Sequence, residues 1–217
     1  MSTASTFDSR LSTLLSLDTA TDRPTLALGT PGDPGADVVI PHRHDLSREI
    51  DAVTRRLLRE RSITPGQLAG VLVGDGPGSF TGLRIGIAFA RGLTRALGVP
   101  LLVAPSMMGA ARAVAGLDPV VVDYDALRGE CYRAAWSFAP SGVEQRLAPA
   151  IVRTGEPVAL GAPVARAGAG HASAAALLRL AGVPGGARPV DSSWEPTYGR
   201  PAEAEVRRLA TQPAAGR

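Results

Sequence analysis

Two carboxylates stand where a protein that handles metal-bound phosphate would place them. Asp18 ends the apolar run LLSL, Asp125 follows VVVDY, and each lies beside a hairpin turn. Acidic residues at turns also accept hydrogen bonds from nearby backbone N–H groups, so Asp18 and Asp125 are candidates for cofactor binding with a local structural alternative. Between them lies GDGPGSFTGLRIG, residues 74–86, with five glycines and one proline running into an apolar helical pattern. A phosphate-binding loop of the P-loop type needs a lysine to neutralise the terminal phosphates, and this chain has none. A dinucleotide fingerprint is also incomplete, because Ser79 stands where the third glycine belongs and no acidic residue closes a second strand. The three histidines, His42, His44 and His171, form no His-Glu-x-x-His pair. Neither a metal centre nor a catalytic residue is expected.

The glycines of this segment carry a second message. Gly78, Gly82 and Gly86 recur every fourth residue and share a helix face, while Arg84, Arg91 and Arg95 fall on another. A glycine inside a helix costs about 1 kcal/mol against alanine, so close backbone approach by a neighbour should offset it. That neighbour is either another element of this chain or a second molecule. Ser79 or Thr81 caps the helix, and the preceding glycines supply the turn.

Around these residues the periodicities define the elements. Residues 14–29 read as strand, acidic turn and strand. The stretch 44–61 spaces Leu46, Ile50, Val53, Leu57 and Leu58 as one face of a helix of about four turns. A strand at 69–74, a helix at 82–97 ended by Gly98 and a strand at 99–104 make a βαβ unit with parallel pairing. A small helix follows at 106–115. Residues 120–138 then repeat the strand, acidic turn and strand of the opening about 105 positions later, so the chain is a duplicated α/β unit. We divide it into a first lobe, 1–110, and a smaller second lobe with a C-terminal tail, 111–217.

Composition bounds the class. With 217 residues, 45% hydrophobic and 20% charged, the chain has the makeup of a soluble globular protein with an aliphatic core. All 23 cations are arginine and they are spread along the chain, so the net charge of +3 permits an anionic partner without demanding one. One cysteine, Cys131, excludes an internal disulfide framework. No apolar run spans a membrane and no secretory leader is legible, so no membrane partner and a cytoplasmic location are expected.

The segments LLSLDTAT, GPGSFTGLRIG with its Ala/Gly-rich helix, LGVPL, DALRGECY and PTYGR occur in an order that resembles the bacterial tRNA threonylcarbamoyladenosine dimerization subunit family, TsaB. The resemblance implies two ribonuclease H-like lobes in tandem, as in the actin, sugar-kinase and heat-shock ATPase superfamily. It implies a non-catalytic scaffold that pairs with a catalytic threonylcarbamoyl-transferase paralogue and is joined by a small ATPase subunit. Such a chain forms a homodimer when alone, meets tRNA through the complex and needs no cofactor itself, while the complex uses ATP. The pairing surface then maps to the helix opened by His44 and the helix after Ser79. Its expected members are His44, Ile50, Val53, Leu57, Gly78, Ser79, Gly82, Arg84, Gly86 and Phe89. Asp75 and Gly199 depart from the family pattern, in the loop and in the tail. A nucleotide-dependent phosphotransferase or ATPase of the same superfamily, built on Asp18 and Asp125, is the alternative.

Overall fold

The computed structural model describes residues 13–40, 45–114, 119–160 and 165–196. The first sheet opens with β1 (Leu14–Asp18), β2 (Thr25–Gly29) and β3 (Val38–Val39), joined antiparallel in that order. After α1 (Leu46–Glu60) come β4 (Gly70–Gly74), α2 (Phe80–Leu97) and β5 (Leu101–Ala104). β4 runs parallel to both β1 and β5, giving the order β3-β2-β1-β4-β5. Strands β1 and β4 are buried throughout, which is why LLSL and GVLVG read as continuous apolar runs rather than alternating ones.

Past α3 (Ser106–Ala113), the second sheet repeats the plan with β6 (Val120–Leu127), β7 (Glu130–Ala139), β8 (Gly142–Arg153) and β9 (Ala165–Gly168). Its order is β8-β7-β6-β9, antiparallel through the first three and parallel between β6 and β9. Strand for strand, this reproduces β3-β2-β1-β4. The duplication expected from two similar hairpins is therefore carried by the whole sheet, and the fold is two ribonuclease H-like units. The copies are unequal, because no helix corresponding to α1 lies between β8 and β9 among the described residues.

Helix α1 turns Leu46, Ile50, Val53, Leu57 and Leu58 into the core, as its period requires. In α2, the Ser79 hydroxyl accepts the Gly82 N–H at 3.2 Å, and Gly98 ends the helix at φ +68. The two helices pack together on the first sheet, and no helix among the described residues is long and apolar enough to cross a membrane.

The second half of the chain does not stay in its own lobe. Helix α4 (Ala174–Leu178) packs across β1, β2 and β4, and β10 (Arg188–Val190) pairs antiparallel with β5 as the sixth strand of the first sheet. Asp37 fixes α4 from the first lobe. Its Oδ1 accepts the Ala175 N–H at 2.9 Å, its Oδ2 accepts the Ser173 hydroxyl at 2.6 Å, and Thr25 Oγ1 accepts the Ala174 N–H at 3.0 Å. Beyond β10, Arg91 of α2 lies 5.2 Å from the Trp194 ring centre and donates to the Trp194 carbonyl. A cut at 110/111 lies between the strands of the two sheets but passes through α3, and it severs α4 and β10 from the sheet they complete.

Asp37→Ala should lower the unfolding free energy by about 1–2 kcal/mol in urea titration, because it frees an N–H and a hydroxyl at the buried start of α4. Asp45→Ala should change it by less than about 0.5 kcal/mol. Asp45 precedes α1, but its side chain makes no capping hydrogen bond.

Candidate functional site

The Gly-rich segment folds against the first hairpin of its own chain. A Cβ on Gly78 would overlap the Ala20 carbonyl oxygen, one on Gly82 the Thr19 carbonyl oxygen, and one on Gly86 the Thr19 hydroxyl. The β1–β2 turn thus lies on the glycine face of α2, and the Ser79 N–H donates to the Ala20 carbonyl at 2.6 Å. Of the two neighbours the spacing allowed, the internal one is present. Gly78, Gly82 and Gly86 are not a docking seam, because their space is already filled. Gly82 and Gly86 are buried, and Ile50, Val53 and Leu57, also expected at the pairing surface, are 2%, 7% and 4% exposed and face the core side of α1 instead.

Asp18, at the end of β1, ties this loop to both sheets. Its Oδ1 accepts the Ala20 N–H at 3.0 Å and the Ser106 hydroxyl at 3.0 Å. Ser106 Oγ in turn accepts the Gly76 N–H at 3.2 Å, and the Ser106 carbonyl accepts the Tyr124 hydroxyl of the second sheet at 3.3 Å. Asp18 Oδ2 is buried with no protein partner. Burial pushes the Asp18 carboxyl above its ordinary range, against the lowering effect of its hydrogen bonds from Ala20 and Ser106, and the charge of Asp37 adds to the rise. Asp75, the family departure, sits beside it and is raised to about 6, first by burial and also by Asp18, with Arg188 of β10 opposing. Burial and the Asp18 charge likewise push Tyr124 up. Sequence reading missed Ser106, Tyr124 and Arg188 here, since nothing in their local patterns shows that three distant segments meet at one carboxylate. Asp18 Oδ2 lacks a protein partner but is buried, so it offers no ligand position open to solvent.

Asp125 does not join it. Side chains alternate along β6, so Tyr124 faces the first lobe while Asp123 and Asp125 point to the opposite face. Asp125 is exposed, and its carboxylate accepts the Leu127 N–H at 2.8 Å to hold its own turn. The paired-acid geometry that the phosphotransferase alternative requires is therefore not formed by Asp18 and Asp125. Asp123 instead pairs with the buried Arg133 at 2.6 Å and with Arg166 at 3.1 Å, while Arg133 also donates to the Glu156 carbonyl at 2.6 Å. Asp123 and Arg133 face each other across the hairpin register, which is where a sequence signal for this pair lay. Among the described residues no three metal-ligating side chains converge.

The face of α2 turned away from the hairpin is open. Thr81, Arg84, Ala88, Gly92, Arg95 and Ala96 are exposed, and Ile85 and Phe89 are half-buried among them. A Cβ on Gly92 would meet nothing within 4 Å. Of the expected surface, Arg84 and Phe89 lie on this face, and Ser79 is exposed at its start with its hydroxyl engaged as the cap. His44 lies outside the described residues, as does Gly199.

Residues 39–180 match the family model described as TsaD, tRNA N6-adenosine threonylcarbamoyltransferase. The chain is 30% identical over 133 residues to the tRNA threonylcarbamoyladenosine biosynthesis protein TsaB of Escherichia coli, covering 60% of this chain and 57% of that protein. It is 31% identical over 90 residues to the Bacillus subtilis protein of the same name, covering 41% and 39%. The chain thus spans roughly half the length of these curated relatives. Among solved structures, YeaZ from Pseudomonas aeruginosa superimposes with a TM-score of 0.63 at 28% identity, over 72% of this chain and 76% of that one.

Gly82→Ala should destabilise the protein by about 1–3 kcal/mol, because its new methyl meets a backbone carbonyl that cannot turn aside. Gly92→Ala, with open space around it, should instead stabilise by about 1 kcal/mol, and urea unfolding of both variants checks the contrast. A second prediction concerns pH. A carboxyl raised on folding favours the folded state while protonated, so stability is full below the ordinary value of 3.8 and is lost as pH rises through about 6. Asp75→Asn should flatten that part of the profile and stabilise the protein at neutral pH by on the order of 2 kcal/mol, read from unfolding curves taken across the range.

Proposed function

Because the chain belongs to the TsaD family and is a TsaB member of it, we propose that it serves in tRNA threonylcarbamoyladenosine formation as a non-catalytic pairing subunit. Its partner is the catalytic threonylcarbamoyl-transferase paralogue, a small ATPase subunit completes the cytoplasmic complex, and two copies pair when the partner is missing. The complex uses ATP, and tRNA is met through the complex. The observation that carries this reading is the division of labour on α2. One face is consumed by the chain's own hairpin, and the other presents Ile85 and Phe89 among small and basic residues with no covering element among the described residues. Small side chains at Ala88, Gly92 and Ala96 allow a neighbouring helix to come close, and helix packing of this kind needs such a groove.

The nucleotide-dependent alternative rested on two acidic hairpins facing one phosphate. Only Asp18 remains of that arrangement, since Asp125 lies on the other face of its sheet. The pairing reading does not depend on either residue.

The test uses Gly92→Leu, which adds bulk where the monomer has room. Pairing with the purified catalytic subunit, followed by analytical ultracentrifugation, should weaken at least tenfold while the thermal transition stays within a few degrees of wild type. Threonylcarbamoyladenosine formation on tRNA by the reconstituted complex should fall in parallel. An intact complex with full activity would show that this face is not used.

A further inference from the structure

The charges on the paired helices are not self-complementary. On α1, Asp51 already pairs with Arg55 at 2.8 Å, and Glu60 with Arg56 at 3.7 Å, both one turn apart on the same helix. The other carboxylates of this segment, Asp45 and Glu49, stand at the start of α1, next to the unpaired N–H groups that favour negative charge. On α2, Arg91 is engaged by Trp194. What remains exposed on the two helices without a carboxylate partner among the described residues is Arg48, Arg59, Arg95 and Arg84, the last lying 5.4 Å from the Phe80 ring centre with its charge unanswered by any acid. α2 itself carries no acidic residue at all. Its half-buried Ile85 and Phe89 therefore lie in a setting of one sign.

Resting on the pairing role proposed above, we infer that this surface selects a helical partner whose apolar strip is flanked by carboxylates, and disfavours a second copy of the same chain. Two copies meeting through α2 would set Arg84 and Arg95 against the same residues of the other copy, because α2 has no carboxylate to answer them. A partner bearing exposed Asp or Glu beside its apolar residues meets the same face with attraction, which both speeds encounter and rejects the wrong pair. Arg84 and Arg95 flank the apolar pair on α2 and are the residues through which the choice is made. The chain's own dimer is then the weaker alternative, formed when the acidic partner is missing.

The experiment measures two affinities by analytical ultracentrifugation, self-association of the chain and its pairing with the purified catalytic subunit from the same genome, at low and high sodium chloride. Pairing with the catalytic subunit should weaken about tenfold or more as salt screens the attraction, whereas self-association should be unchanged or tighten. The double variant Arg84→Glu/Arg95→Glu should lose at least tenfold in pairing with the catalytic subunit and gain in self-association. Its thermal transition should stay within a few degrees of wild type, because both side chains are exposed and give up only the Arg84–Phe80 stacking and the favourable charge of Arg95 in the last turn. Pairing that is insensitive to salt and to the double variant would overturn this inference and leave the proposed function standing. Failure of the wild-type chain to bind the catalytic subunit at either salt would overturn both.

Discussion

Helix α2 lies as close to the first hairpin as it does because Gly78, Gly82 and Gly86 present no side chains to it. The backbone carbonyls of Ala20 and Thr19 and the Thr19 side chain occupy the volume that three β-carbons would fill, and the Ala20 carbonyl is satisfied by the Ser79 N–H at the cap. This contact fixes the turn that leaves β1, the loop that leaves β4 and the start of α2 as one unit. A helix with interior glycines is intrinsically poor, so the close approach is also what makes its sequence tolerable.

From that unit the order spreads through a single carboxyl. Asp18 holds the turn through Ala20 and the start of α3 through Ser106, and Ser106 passes the link to Gly76 and to Tyr124 of the second sheet. Asp75 and Arg188 bring the loop and the returning strand β10 into the same electrostatic neighbourhood. The second half of the chain reciprocates beside the same end of β1, where Asp37 closes on the start of α4 and Thr25, the register partner of Asp18, holds Ala174. Two sheets that could have been independent domains are thereby tied at several points, and the helix pair α1 and α2 is presented on a stiff support. In the pairing role proposed above such stiffness matters, because an already ordered surface loses little entropy when it docks.

The conspicuous motif and the proposed pairing face lie on different sides of α2. GPGSFTGLRIG is the most recognisable stretch of the chain, yet its glycines serve internal packing. The outward face of α2, marked by Arg84, Ile85, Phe89 and Gly92, has no distinctive spelling. A motif stands out when backbone geometry constrains it tightly, whereas a docking face needs only the right mixture of size, polarity and charge.

Much of the architecture was written locally. The apolar runs of β1, β4 and β5, the helical period of α1, the Ser79 cap, the Gly98 stop and the repetition of a hairpin about 105 residues on each depend on neighbours in the chain, and each stands in the structure where the residues indicated. β8 escaped because its side chains are mostly exposed and follow no alternation, and β10 because three residues containing a proline carry no period. The direction in which surfaces face was settled only by tertiary structure. Spacing put Gly78, Gly82 and Gly86 in a line but could not say that Thr19 was their neighbour. Composition likewise placed Asp18 and Asp125 at similar turns but could not say that strand alternation turns one inward and the other out. Local sequence determines which residues share a face; what that face meets depends on contacts between segments far apart in the chain, and those exist only once the sheets have assembled.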